Sequence, residues 1–237
     1  MKQYRAIFWD NDGILVDTEP LYAQAVQQVF DRLGFSADAE KLYLEYTVRQ
    51  GRHVWDQIRE KLNLSESQIN DLRAERDENY ETLLSQEIPI IPGAKEVLLQ
   101  LKSSSLSLVL VTSCLRHHLD MIHEKTGFFD FFDFILARED FAHSKPHPEP
   151  YETAFQKLKQ RNNSKISKSD ILVIEDSERG LLSAKEAGLE CWVIPTKFTQ
   201  NMDFSRADKR LHSIREVPSL LGIMPQQAGV RQFLLRQ

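Results

Sequence analysis

Three short apolar runs, at residues 6–9, 106–111 and 171–174, each stop abruptly at polar or charged residues, and helical patterns fill the chain between them. A short continuous apolar run bounded by turn signals reads as a strand buried on both faces. Strands alternating with helices give a parallel sheet covered by helices on both sides. Further short strands are expected at 135–136 and 191–194, and a last strand and helix at about 209–221 close the alternation. The spacing predicts helices over 18–33, 93–102, 115–125, 149–160 and 178–187, with Gly34 and Gly188 as stops.

One interval breaks this rhythm. A crossover between neighbouring parallel strands takes about 30 residues in total, yet the gap between the first two strands runs from residue 10 to residue 105. No strand pattern occurs over 18–87. Thr18 is placed to cap the first helix there, and segments beginning near Ala37, Arg52 and Ser65 read as amphipathic helices. The last opens with Ser65-Glu66-Ser67-Gln68, which has the form of a capping box. Residues 18–87 hold 14 Asp and Glu against 8 Lys and Arg, a net of −6, while the whole chain carries −5. The expected fold is therefore a Rossmann-like open parallel core, residues 1–17 and 88–237, with an all-helical cap inserted at 18–87. An insert attached beside a crevice is placed to act as a lid.

The overall charge of −5 offers no basic surface for a nucleic-acid backbone. No apolar run approaches 18 residues, so no membrane span is expected. The N-terminus leads into the first strand without the charged and apolar regions of a signal peptide. Two cysteines, Cys114 and Cys191, read as buried unpaired thiols in a reducing compartment. The expectation is a cytoplasmic monomer or small homo-oligomer acting on a small molecule, with neither nucleic acid nor membrane as partner.

In an open parallel sheet, ligands bind outside the carboxyl ends of the strands. At that edge the sequence sets Asp10 and Asp12 after the first strand, Thr112 and Ser113 after the second, and Glu175 and Asp176 after the 171–174 strand. Lys145 sits in the loop that follows the 135–136 strand. Four carboxylates and one lysine in a single crevice need a further counter-charge. Mg²⁺ suits an all-oxygen set and commonly bridges to a substrate phosphate. These parts fit phosphoryl transfer: an Asp can act as nucleophile, and Lys145 and Thr112 can stabilise the transferring oxygens. A turn at Gly13 can swing Asp12 round to handle the proton of the leaving group.

Taken in order, Asp10-Asn11-Asp12-Gly13, Thr112-Ser113, Lys145-Pro146 and Glu175-Asp176-Ser177 resemble the four motifs of the haloacid dehalogenase superfamily, in its helical-capped phosphatase and phosphomutase branch. The resemblance spans Tyr4 to about Leu221. It implies Asp10 as nucleophile, Asp12 as acid and base, and Thr112 and Lys145 as phosphoryl-oxygen contacts. It also implies Mg²⁺ held by Asp10, the Asp12 backbone carbonyl, Glu175 and Asp176. Three positions depart from the usual pattern. Ile14 stands where Thr is common, Ser113 where Asn often binds substrate, and Tyr22 where the beta-phosphoglucomutases carry a His. Asp12 argues against dehalogenation, because the dehalogenases lack the second Asp. The implied activity is a Mg²⁺-dependent phosphatase acting on a small monoester such as a sugar phosphate. A hexose phosphomutase and a non-catalytic protein on the same fold are the alternatives.

In the acidic cap, Arg49, Arg52 and His53 surround Gly51 and form a basic spot, read as a contact for the substrate's leaving group or as a solvated helix start. His117 and His118 read as structural or solvated, and the aromatic run 128–134 as core.

Overall fold

The computed structural model describes residues 2–42, 54–161 and 165–224. A six-stranded sheet is built from β1 (Ala6–Trp9), β2 (Ser107–Val111), β3 (Phe134–Leu136), β4 (Ile171–Glu175), β5 (Glu190–Val193) and β6 (Lys209–Arg210). The helices are α1 (Glu19–Arg32), α2 (Ala39–Leu42), α3 (Val54–Leu62), α4 (Glu66–Gln86), α5 (Ala94–Lys102), α6 (Arg116–Thr126), α7 (Glu149–Arg161), α8 (Glu178–Glu186) and α9 (Glu216–Leu220). The strand order is β3-β2-β1-β4-β5-β6, and every pairing is parallel. The order reverses at β1, where Trp9 stands opposite both Leu110 and Ile174. A crevice opens at such a switch point, outside the carboxyl ends of the strands.

The continuous apolar runs follow from burial on two sides. Successive strand side chains point to opposite faces. Ile7, Trp9, Leu108, Leu110, Leu172 and Ile174 enter one core with α5 and α6. Ala6, Phe8, Val109, Val111, Ile171 and Val173 enter the other with α7 and α8. Phe128, in a 3₁₀ turn over Phe128–Phe131, is fully buried in the first core, so the aromatic run is packing, as expected.

Helices α1 to α4 make up the insert, which contains no strand among its described residues. Val26, Phe30, Trp55, Ile58 and Ile69 form a third apolar cluster of its own. The chain leaves the core and returns to it side by side: Asp17 N–H donates to the Pro89 carbonyl (2.8 Å) and Ile91 N–H to the Leu15 carbonyl (3.0 Å). At α4 the capping box forms as the sequence suggests, with Gln68 N–H donating to Ser65 Oγ (3.2 Å) and Ser65 N–H to Gln68 Oε1 (2.9 Å). Thr18 differs from expectation. It sits in helical geometry before α1, not in the extended conformation from which a cap accepts, and makes no capping bond; its hydroxyl donates to Asp12. Among the described residues the segment near Ala37 contributes the turn α2.

Both cysteines are free thiols. Among the described residues no helix is long and apolar enough to cross a membrane.

Candidate active site

Directly after β1 the backbone turns tightly: the Asn11 carbonyl accepts from Leu15 N–H (2.8 Å), and Gly13 N–H donates to the Val16 carbonyl (2.8 Å). Gly13 adopts φ +77°, and a Cβ there would stand 2.4 Å from Asp176 Oδ2. Glycine is thus required twice, by the left-handed conformation and by the close approach to a carboxylate. Asp10 continues the ladder, its N–H donating to the Ile174 carbonyl at 3.0 Å.

Lys145 is the hub. Its Nζ donates to Asp10 Oδ1 (2.8 Å), Glu175 Oε1 (2.6 Å) and the Val111 carbonyl (2.9 Å), so one ammonium ties together the ends of β1, β2 and β4. Tyr151 of α7 also donates to Glu175 Oε1. Behind it Gly180 opens α8, where a Cβ would fall 1.9 Å from the Glu175 carboxyl group. Arg179 donates to the Lys145 carbonyl and Ser183 to that of His147, which moors the lysine loop to α8. Thr112 is buried after β2, and its Oγ1 accepts from Cys114 N–H (3.0 Å). Ser113, exposed, lines the same cleft.

That cleft has a volume of about 580 Å³ and is floored by Asp10, Asp12, Thr112, Lys145 and Asp176. Tyr22, Arg76 and Tyr80 of the insert form its opposite wall. Of the expected site residues, the structure gathers these five with Ser113, and places Glu175 beneath them. Arg49, Arg52 and His53 lie outside the described residues.

Negative charge exceeds positive here. Burial, and then the Glu175 carboxylate, push Asp10 up to about 7 despite Lys145. Burial raises Asp12 against the bond from Thr18, and burial with Glu19 and Asp10 raises Asp176 well above the carboxylate range. Burial works to lower Lys145, but the Asp10 and Glu175 carboxylates outweigh it and hold the ammonium charged. Oxygens of Asp10, Glu175 and Asp176 lie within 4.8 Å of one another. An all-carboxylate set with surplus negative charge fits Mg²⁺, a hard cation that takes oxygen ligands. Cys114 is a poor nucleophile, since burial, reinforced by Asp12 and Asp10, raises its thiol well above the usual range.

Several contributors escape sequence reasoning. His123 of α6 hydrogen-bonds Asn11 Oδ1 through Nε2 (2.9 Å) and Thr126 Oγ1 through Nδ1 (2.9 Å), bracing the loop between the two aspartates from behind. Burial lowers this imidazole to about 4, so it stays neutral. Glu19, on the first turn of α1, is pushed up to about 8 by burial and then by Asp12, Asp17 and Asp10. Only Thr18 and Glu19 stood close enough to the motif to be suspected.

Comparison with known proteins agrees with this geometry. A family model described as haloacid dehalogenase-like hydrolase matches residues 7–194. Protein CbbY of Rhodobacter capsulatus is 31% identical over 221 residues, covering 88% of this chain and 93% of that protein. Hexitol phosphatase B of Escherichia coli K12 is 26% identical over 93% of this chain and 98% of its own length. The crystal structure of CbbY from Rhodobacter sphaeroides in complex with phosphate superposes with a TM-score of 0.73 at 27% identity, covering 91% of this chain and 96% of that one. A point mutant of that protein is known in complex with xylulose-(1,5)bisphosphate (TM-score 0.72, 26% identity, 89% of this chain and 95% of that one).

Proposed function

Because the chain belongs to the haloacid dehalogenase-like hydrolases, an enzyme family, we propose that it is a Mg²⁺-dependent phosphatase that hydrolyses a small phosphate monoester, a sugar or sugar-alcohol phosphate, through an aspartyl phosphate on Asp10. The observation that carries this reading is Lys145 Nζ set between Asp10 Oδ1 and Glu175 Oε1 on the floor of a cleft. Relatives support the substrate class: one from Thermotoga maritima is a phosphorylated carbohydrates phosphatase, 27% identical over 78% of this chain.

Asp10 attacks phosphorus in line, forming the acyl phosphate while the ester oxygen departs. Lys145 and Thr112 donate to the equatorial oxygens as their charge rises. Asp12, raised by burial and oriented by Thr18, gives its proton to the leaving oxygen and then takes one from the water that cleaves the intermediate. Glu175 and Tyr151 hold Lys145 in place. Asp10, Glu175, Asp176 and the Asp12 backbone carbonyl would hold Mg²⁺, which when bound offsets the charge on the phosphoryl oxygens. The functional division into a core of 1–17 and 88–237 and a cap of 18–87 belongs to the same proposal, with Ser113, Arg49, Arg52 and His53 as substrate contacts.

The test is phosphate release over a panel of sugar and polyol phosphates. Turnover should vanish with chelator and return with Mg²⁺, and full activity in excess EDTA overturns the metal assignment. Arg49→Ala or Arg52→Ala should re-rank the panel while hydrolysis of a small generic ester stays within about tenfold, or about 1.4 kcal/mol. An unchanged ranking for both reduces the basic spot to a solvated helix start.

A further inference from the structure

We propose that Glu81, His117 and His118 form a binding site for a divalent transition cation, Zn²⁺ by the chemistry of the donors, at the rim of the cleft and apart from the carboxylate cluster. Glu81 belongs to α4 of the insert, whereas His117 and His118 open α6 of the core. Folding therefore brings the three donors together from two elements. Both imidazoles face one carboxylate oxygen: His117 Nε2 lies 3.3 Å and His118 Nε2 3.6 Å from Glu81 Oε1. The three donor atoms all lie within 4.8 Å of one another.

Those separations are long for N–H···O hydrogen bonds, which centre near 2.9–3.0 Å. They also leave no room for a bridging water. They do match the edge of a metal tetrahedron, since ligands about 2.0–2.1 Å from zinc stand roughly 3.3–3.4 Å apart.

A second observation points the same way. The His118 side chain is 6% exposed, and its Nε2 is buried with no hydrogen-bond partner. A buried polar atom left unsatisfied costs stability, so a group with such an atom calls for a missing partner. The Tyr80 ring meets the His118 ring edge-on at 5.0 Å and fixes its plane. Asp77 and Arg76 of α4 also face His118, one favouring a cation and the other opposing it. His117 and Glu81 are 53% and 41% exposed, so an ion has a path in and a fourth position open to water. His₂Glu with one open position is a zinc donor set, whereas Mg²⁺ prefers oxygen alone. A bound ion ties α4 to α6 beside the cleft wall that Tyr80 and His118 form.

The experiment titrates the full-length protein with Zn²⁺ while excess Mg²⁺ occupies the carboxylate cluster, and repeats the titration with Co²⁺ followed by visible absorption. We expect one Zn²⁺ per chain under these conditions and a Co²⁺ band of tetrahedral intensity. His117→Asn and Glu81→Gln should each weaken uptake by about tenfold or more. Both side chains are substantially exposed, so thermal unfolding in EDTA should match the parent protein and show that the fold is retained. His143→Asn, in the separate group of His143, His147 and Glu149, is the control and should change nothing. No uptake by the parent protein, unchanged affinity in both variants, or loss of uptake on changing His143 overturns the site. The readout is metal uptake rather than turnover, so failure of the phosphatase reading leaves it intact.

Discussion

Asp10 and Asp12 stand two residues apart in different company. Asp10 shares Lys145 with Glu175, whereas Asp12 receives the Thr18 hydroxyl. Asp10→Asn should therefore abolish turnover and leave no hydroxylamine-sensitive phosphate label on the protein. Asp12→Asn should slow an alkyl ester by about 10²- to 10⁴-fold, with a smaller penalty on an aryl ester whose leaving group departs without a proton. Equal losses on both esters, together with residual activity in Asp10→Asn, would reverse the two roles. The raised carboxyls also set a pH dependence. In the metal-free protein Asp10 titrates near 7 instead of 3.8, and Glu19 near 8 instead of 4.5. At these two groups the native state binds more protons than the unfolded chain, so their contribution to stability falls as pH climbs from about 4 to about 8, while His123, lowered to about 4 from 6.5, opposes it in the lower part of that range. Urea melts without metal should show this slope. Glu19→Gln should flatten it, and an unchanged slope in that variant would remove Glu19 from the account.

Elements differ in how much of themselves they betray in sequence. The strands were legible because a run such as Ala6-Ile7-Phe8-Trp9 has no polar face, which only a two-sided core explains. Their polar endings were equally plain, since Asp, Thr and Glu-Asp sit where the apolar runs stop. What could not be read were bonds across the fold. His123 and Asn11 stand 112 positions apart, and neither is marked by local pattern. The start of α1 misled for a related reason: Thr18 has capping chemistry, but its backbone is already helical and its hydroxyl orients Asp12 across the turn. The start of α8 is a sharper case. Gly180 reads as an ordinary helix residue, yet it admits the Glu175 carboxylate that braces Lys145. Gly180→Ala should destabilise by about 1–3 kcal/mol, as overpacking does, and should depress turnover as well. A variant with normal melting and normal turnover would show that α8 gives way without disturbing Glu175.

At the scale of the whole molecule, the insert is joined to the core by two backbone hydrogen bonds between adjacent segments. The ends of the 18–87 stretch are therefore held side by side in the folded chain. Closing a flexible loop costs only about 0.6 kcal/mol more for each doubling of its length, so the length of chain carried on this stem costs the sheet little, even though Tyr80, Leu83 and Leu84 of α4 pack into the sheet's own core. In evolutionary terms the stem is a socket. The insert can be lengthened or exchanged there while the carboxylate cluster at the strand ends keeps its place. On the proposed function, substrate preference can then change without any change at Asp10, Thr112 or Lys145.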